Sequence, residues 1–181
     1  RGTGIMIAGN EFTTCGDPAS FDPQYHTLYV YGTRDTTATA PIETNRTIIW
    51  NYFHANTAAR AINIYNQTQL SSPISAPISG HNVQYNYITD QVWDGILLGQ
   101  GVVGDNTIAN NVLIDVGKLD TSSGDGGAGL HIEVTVPDSY TGTTPANVIH
   151  CYNNTFVNCG AAGKATAGTF GLRQIAAFTP D

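Results

Sequence analysis

The feature that most constrains the fold of this chain is a seven-residue segment that recurs along it. Three copies, at 10–16, 111–117 and 154–160, begin with Asn, carry a large apolar residue two positions later and end in Gly. Two looser copies begin at Asn51 and Asn86. The asparagines are separated by 41, 35, 25 and 43 residues. A constant motif at unequal intervals is typical of a solenoid, in which one structural unit repeats with loops of variable length.

A second element recurs between these copies, a short segment with apolar residues at every second position. Its copies are residues 28–31, 62–65, 96–99, 130–133 and 172–175. Alternation with a period of two predicts strands that have one buried face. No stretch of eleven or more residues shows helical periodicity, so the sequence predicts an all-β chain.

The repeats also predict which side chains stack inside. Asn tolerates the left-handed backbone conformation of a tight bend, and identical residues stacked on one another can exchange hydrogen bonds between neighbouring turns. The apolar residue two positions after each Asn predicts one inward column, and the first residue of each alternating segment predicts another. The first column is Phe12, Phe53, Ile88, Leu113 and Phe156, and the second is Leu28, Ile62, Ile96, Leu130 and Leu172.

This order of strand, Asn, strand, loop and Gly-led strand resembles the right-handed parallel β-helix superfamily of pectate lyases and related polysaccharide-acting enzymes. Phage tailspikes and surface adhesins share that architecture. The resemblance covers nearly the whole chain and implies a single-stranded solenoid of about five rungs. We expect residues 1–181 to be one such domain, truncated at both ends relative to a longer coil.

The resemblance further implies that the Gly-led strand lines a substrate groove with its outward side chains. Toward the amino end, the expected substrate-binding residues are Tyr29, Tyr31, Asn63 and Tyr65, with Arg60 beside them. Aromatic rings with a polar tip suit sugars, whose faces are apolar and whose edges carry hydroxyls. A tyrosine ladder that only stabilises stacked strands has the same pattern.

Toward the carboxyl end, the same groove carries ionisable residues. The expected catalytic residues are His131, Glu133, Arg173 and Asp94. A base, a carboxylate and a guanidinium on one surface can abstract a proton next to the carboxylate of a uronic acid. A solvated cluster of ion pairs has the same composition, and an Asp directly before Gly95 also suits an ordinary turn.

Several acidic residues near the groove make Ca²⁺ a candidate cofactor. They are Asp90, Asp94, Asp115, Asp120 and Asp125. Paired carboxylates bind Ca²⁺ or hydrolyse glycosidic bonds, but the spacing does not match an EF-hand loop, and the sequence predicts no defined set of metal ligands. The sequence also has no Asp-Asp pair, no Gly-His-Gly and no Trp-x-Asp-His run, which the resemblance to polygalacturonases and pectate lyases would lead one to expect.

The net charge of the chain limits the classes of partner that we expect. The formal net charge is -7, with 7 Lys and Arg against 14 Asp and Glu, which argues against nucleic acid and against an anionic membrane surface. No apolar run approaches the roughly 18 residues of a membrane span.

Two functional hypotheses follow. The first is a secreted or cell-surface protein that acts on polysaccharide as a lyase or glycoside hydrolase, or that binds it. The alternative is a non-catalytic shaft, such as an adhesin, a tailspike segment or a filament, whose exposed sheet faces favour assembly into trimers or filaments.

Overall fold

The computed structural model describes residues 4–16, 26–31, 42–57, 60–66, 77–117, 127–134, 148–160 and 172–176. Within these ranges the backbone forms strands and no helix, which confirms the prediction of an all-β chain; the described residues accordingly offer no helix that could cross a membrane. The strands are β1 (Met6–Ala8), β2 (Glu11–Thr13), β3 (His26–Tyr31), β4 (Ile42–Glu43), β5 (Thr47–Ile49), β6 (Tyr52–His54), β7 (Arg60–Tyr65), β8 (Ile78–Ser79), β9 (Asn82–Gln84), β10 (Tyr87–Thr89), β11 (Ile96–Leu98), β12 (Asn106–Ala109), β13 (Val112–Ile114), β14 (Leu130–Val134), β15 (Ile149–Tyr152), β16 (Thr155–Val157) and β17 (Leu172–Ala176).

Most of these strands belong to three parallel sheets of five strands each. Sheet 1 has the order β1-β5-β9-β12-β15, sheet 2 the order β2-β6-β10-β13-β16 and sheet 3 the order β3-β7-β11-β14-β17. Strands β4 and β8 pair separately, also in parallel. Along the sequence the chain visits sheets 1, 2 and 3 in turn, and neighbours within a sheet come from successive repeats.

The register of the strands confirms that the residues of each predicted column pair in succession, and the described side chains of both columns pack in or against the core. Phe12, Phe53, Ile88, Leu113 and Phe156 pair in succession across sheet 2. Leu28, Ile62, Ile96, Leu130 and Leu172 do so across sheet 3. The Phe12 and Phe53 rings stack with centroids 4.6 Å apart, and sheet 1 adds buried Ile48, Val83 and Ile108 to the same core. Burial of these aliphatic and aromatic side chains is the main favourable contribution to folding.

The motif asparagines form a continuous hydrogen-bond ladder where the chain turns from sheet 1 into sheet 2. The side-chain oxygen of Asn86 accepts the backbone N–H and the side-chain amide N–H of Asn51, both at 3.0 Å. The same paired contact links Asn10 to Asn51, Asn86 to Asn111 and Asn111 to Asn154. The predicted exchange of hydrogen bonds between neighbouring turns is confirmed.

The predicted left-handed bend is wrong by one position. The residue with positive φ is the one before each motif Asn, with φ between 54° and 66°: Gly9, Trp50, Tyr85, Asn110 and Asn153. A second left-handed residue follows four positions after each Asn, with φ between 50° and 57°: Thr14, Ala55, Asp90, Asp115 and Asn158. The ladder therefore uses Asn for its amide group, and the neighbouring residues make the bends.

We expect Asn86→Ala to lower the free energy of unfolding by about 3 kcal/mol, because it leaves buried backbone N–H and C=O groups without hydrogen-bond partners. Asn86 is 1% exposed, and its side chain serves the N–H of Asn51 and the carbonyl of Ile48. The control, Asn10→Ala, lies at the exposed end of the ladder and should cost about 1 kcal/mol or less. Chemical denaturation followed by circular dichroism measures both, and equal losses would contradict a stabilising ladder.

Candidate functional site

The outward face of sheet 3 carries the predicted site residues in two columns. The first column pairs Tyr29, Asn63, Leu97, His131 and Arg173 in register. In the second, Tyr31 pairs with Tyr65, and Glu133 pairs with Ile175 on the last strand. Side chains alternate along a strand, so the members of these columns in β3, β7, β11 and β14 lie on the face opposite the core columns.

The two ends of this face differ in exposure. Tyr29 and Tyr31 are 42% and 41% exposed, and their rings meet edge to face with centroids 5.8 Å apart. Asn63, Leu97 and His131 are 3%, 2% and 8% exposed, although none of them belongs to the core cluster. The face is therefore open at its tyrosine end and covered along its middle repeats.

Asp94 is the centre of a buried polar network on the covered part. Its Oδ2 accepts a hydrogen bond from Arg60 Nε at 2.9 Å and lies 3.4 Å from His131 Nδ1. Its Oδ1 accepts the backbone N–H of Ala128 at 2.9 Å. Because Arg60 begins β7, Asp94 precedes β11 and His131 lies in β14, this one carboxylate connects three successive strands of sheet 3.

The network keeps Asp94 ionised. Burial acts to raise the pKa of Asp94, but the hydrogen bond with His131, the charges of Arg60 and His131, and the Ala128 N–H together outweigh it, so that its pKa is lowered. The guanidinium of Arg60 also lies over the Trp93 ring, 4.2 Å from the centroid, which adds a cation–π contact. A buried ion pair is stable when each charged group has such partners.

Glu133 connects the ionisable and aromatic parts of the face. Its Oε1 accepts a hydrogen bond from Gln100 Nε2 at 3.0 Å. Burial, followed by the charges of Glu133 and Tyr29, raises the pKa of Tyr65 to about 12, so the phenol remains a donor at neutral pH. A side chain at Gly99 would overlap the Tyr65 ring, and glycine there leaves room for it.

The buried polar atoms that have no hydrogen-bond partner within the described residues include three on or beside this face: Asn63 Oδ1, Gln100 Oε1 and His131 Nε2. Buried polar groups in proteins are nearly always paired. The His131 ring nitrogen donates or accepts according to the tautomer and protonation state of the ring, whereas Asn63 Oδ1 and Gln100 Oε1 are acceptors. All three atoms are buried, so they lie beneath the covered part of the face.

Two parts of the predicted site lie partly outside the described structure. The backbone of Arg173 pairs with His131, and its side chain is outside the described part of the chain. Asp120 and Asp125 of the calcium hypothesis are also outside it. In the ranges that the structure does describe, no group of three or more His, Cys, Asp or Glu side chains is placed to hold a metal ion.

Three groups at this site were missed by the sequence predictions: Trp93, Gln100 and the N–H of Ala128. Trp93 and Gln100 sit just outside the alternating segment of β11, where the repeat pattern assigns no role. The one signal for Trp93 was its position directly before Asp94. Comparison of the chain with protein-family models, curated proteins and solved structures finds no match.

We expect Asp94→Asn to lower the free energy of unfolding by about 3–5 kcal/mol, because it removes the buried charge that the Arg60 guanidinium faces at 2.9 Å. The folded-state pKa of Asp94 is lowered, so its contribution is complete above its ordinary value of 3.8 and is lost as the pH falls through the folded value. The difference in free energy of unfolding between wild type and Asp94→Asn should therefore become smaller in acid.

The matched control is Glu133→Gln, which removes a carboxylate bonded to Gln100 at a half-buried position and should cost about 1 kcal/mol or less. Denaturant titrations at pH 7 and in acid measure both variants. If Asp94→Asn lowers the free energy of unfolding no more than Glu133→Gln does, that result would contradict a stabilising role for the network.

Proposed function

We propose that this chain is part of a right-handed parallel β-helix of about five rungs that binds polysaccharide along the outward face of sheet 3. The cyclic order in which the chain visits three parallel sheets supports the coil. Crossovers between parallel strands are right-handed in nearly all known cases, which supports the hand. A protein with this function acts where polysaccharide occurs, outside the cell or at its surface.

The observation that carries the binding proposal is the exposed Tyr29–Tyr31 pair at the open end of sheet 3. The tyrosine rings offer apolar surfaces with hydroxyl tips, which suit the apolar faces and hydroxyl edges of sugars. Asn63 follows Tyr29 in its column but is 3% exposed, so the two rings are the part of this column and its neighbour that a ligand reaches. Apolar platforms next to a few convergent polar groups are the usual composition of a ligand site.

Charge favours a neutral polysaccharide. The net charge of -7 opposes an anionic chain at long range. Arg60, the cation predicted to offset it, forms an ion pair with buried Asp94 at 2.9 Å. A neutral plant-type glycan is not repelled by the net negative charge and needs no cation at the site to balance it.

We expect the combined variant Tyr29→Ala and Tyr31→Ala to bind its polysaccharide about tenfold more weakly, because stacking surface worth about 1.4 kcal/mol is lost. The matched control is Tyr152→Ala, since Tyr152 is 49% exposed and lies on sheet 1. Calorimetric titration against soluble neutral and acidic polysaccharides measures the affinities. Unchanged affinity for every bound polysaccharide would contradict a binding face on sheet 3.

A second candidate function is proton abstraction by His131, as in a lyase. It is favoured by one observation: His131 Nδ1 lies 3.4 Å from Asp94 Oδ2, and His131 Nε2 is buried without a hydrogen-bond partner among the described residues. A carboxylate that orients an imidazole in this way is a common arrangement for a general base. Arg173, paired with His131 in register, is the residue expected to neutralise a substrate carboxylate.

If His131 is a base, the wild-type protein should release unsaturated products, and His131→Gln should abolish them. His150→Gln, at an exposed position on sheet 1, is the control and should retain activity. Ultraviolet absorbance and reducing ends are followed over a panel of polysaccharides. Binding without any product would contradict catalysis and favour the non-catalytic shaft.

A further inference from the structure

Four exposed aromatic side chains lie together at the corner between sheets 1 and 2. Trp50 and Tyr52 flank one ladder asparagine, and Tyr85 and Tyr87 flank the next. Their exposed fractions are 65%, 39%, 49% and 41% in the same order. We call this group the aromatic corner. It lies outside sheet 3 and shares no residue with the site described above.

The aromatic corner consists of two rows of rings that run from one repeat to the next. The Trp50 and Tyr85 centroids are 6.3 Å apart, and those of Tyr52 and Tyr87 are 5.3 Å apart. Tyr52 also stacks on His54 at 4.3 Å with an interplanar angle of 19°. These contacts hold the rings in place before any ligand arrives, which lowers the entropic cost of binding.

Two members of the corner occupy backbone positions that disfavour large side chains. Trp50 and Tyr85 have φ of 57° and 54°, in the left-handed region. The same position holds Gly9, Asn110 and Asn153 in the other repeats, which are the residue types that this conformation favours. Residues kept in strained conformations cluster at functional sites, and the exposure of both rings shows that core packing does not account for them.

We propose that the aromatic corner is a second polysaccharide-binding site, specific for neutral chains of pyranose rings with equatorial substituents. Such rings present C–H groups on both faces, which stack on aromatic rings, while their hydroxyls lie at the edge near the tyrosine O–H groups. Neither position of the corner holds Lys or Arg in any copy of the motif. His54, which stacks on Tyr52, contacts Glu11 at 2.8 Å.

The test uses cellohexaose as the neutral, equatorially substituted probe. Binding is followed by tryptophan fluorescence, since Trp50 and Trp93 are the two tryptophans of the chain. Titration should produce a saturable change in emission that disappears in Trp50→Asn. Because Asn already occupies this position in two other repeats, Trp50→Asn should fold with an unchanged or higher Tm. A purely structural role for the ring would instead lower the Tm.

Tyr87→Thr provides an independent variant that keeps the fluorescent group, and Thr155 already stands at the equivalent place in the last repeat. Tyr87→Thr should bind cellohexaose with about tenfold lower affinity than wild type. The combined Tyr29→Ala and Tyr31→Ala variant should show the same change in emission with cellohexaose as wild type. The aromatic corner is thus tested independently of the proposed site on sheet 3.

Three kinds of outcome would overturn the proposal. The first is the absence of a Trp50-dependent change, or a Tyr87→Thr variant that titrates like wild type. The second is tighter binding of oligogalacturonate than of cellohexaose, because it would contradict the charge argument. The third is a dimer in sedimentation velocity that Trp50→Asn dissociates, because the corner would then be covered by a second copy of the chain.

Discussion

The amide groups of the ladder asparagines satisfy backbone N–H and C=O groups that the turn between sheets 1 and 2 buries. Asn86 shows the full pattern: its oxygen accepts two N–H groups of Asn51, and its NH₂ donates to Ile48 O at 2.9 Å and Gln84 O at 3.0 Å. A turn without these bonds would leave several buried polar groups unpaired, at about 1–3 kcal/mol each. Because the paired contact recurs between successive motif asparagines, the ladder stabilises the register of sheets 1 and 2.

The parts of the fold that follow from this register could be predicted from sequence. Period-two alternation identifies which side chains share a face, so the stacking of Phe53 on Ile88 and of Asn63 on Leu97 was predictable. Alternation does not show what covers a face, which is why the burial of Asn63 and His131 was not foreseen. The left-handed bends were placed one residue late because Asn suits both a bend and an amide ladder, and composition alone does not separate the two uses.

The site was predictable where it follows the repeat and not where it departs from it. His131 and Glu133 fall on the alternating strand, whereas Gln100 and Trp93 lie beside it and were missed. Asp94 was identified as a groove-edge residue, but its bonds to Arg60, Ala128 and His131 join residues that are 34 to 37 positions apart in sequence. Such contacts depend on the number of residues in each loop, and the motif itself carries no information about that number.

The network around Asp94 and the aromatic corner both depart from what local structure alone favours. A buried carboxylate costs desolvation energy, and here it is offset by a cation, a backbone N–H and an imidazole. Trp50 and Tyr85 cost backbone strain, and the described contacts offset it only in part, since each ring remains about half or more exposed. The equivalent positions of other repeats hold Gly9, Asn110 and Asn153, which adopt the same φ without that strain. Aromatic residues at this position in two successive repeats, with their rings exposed, are the reason for proposing a ligand at the aromatic corner.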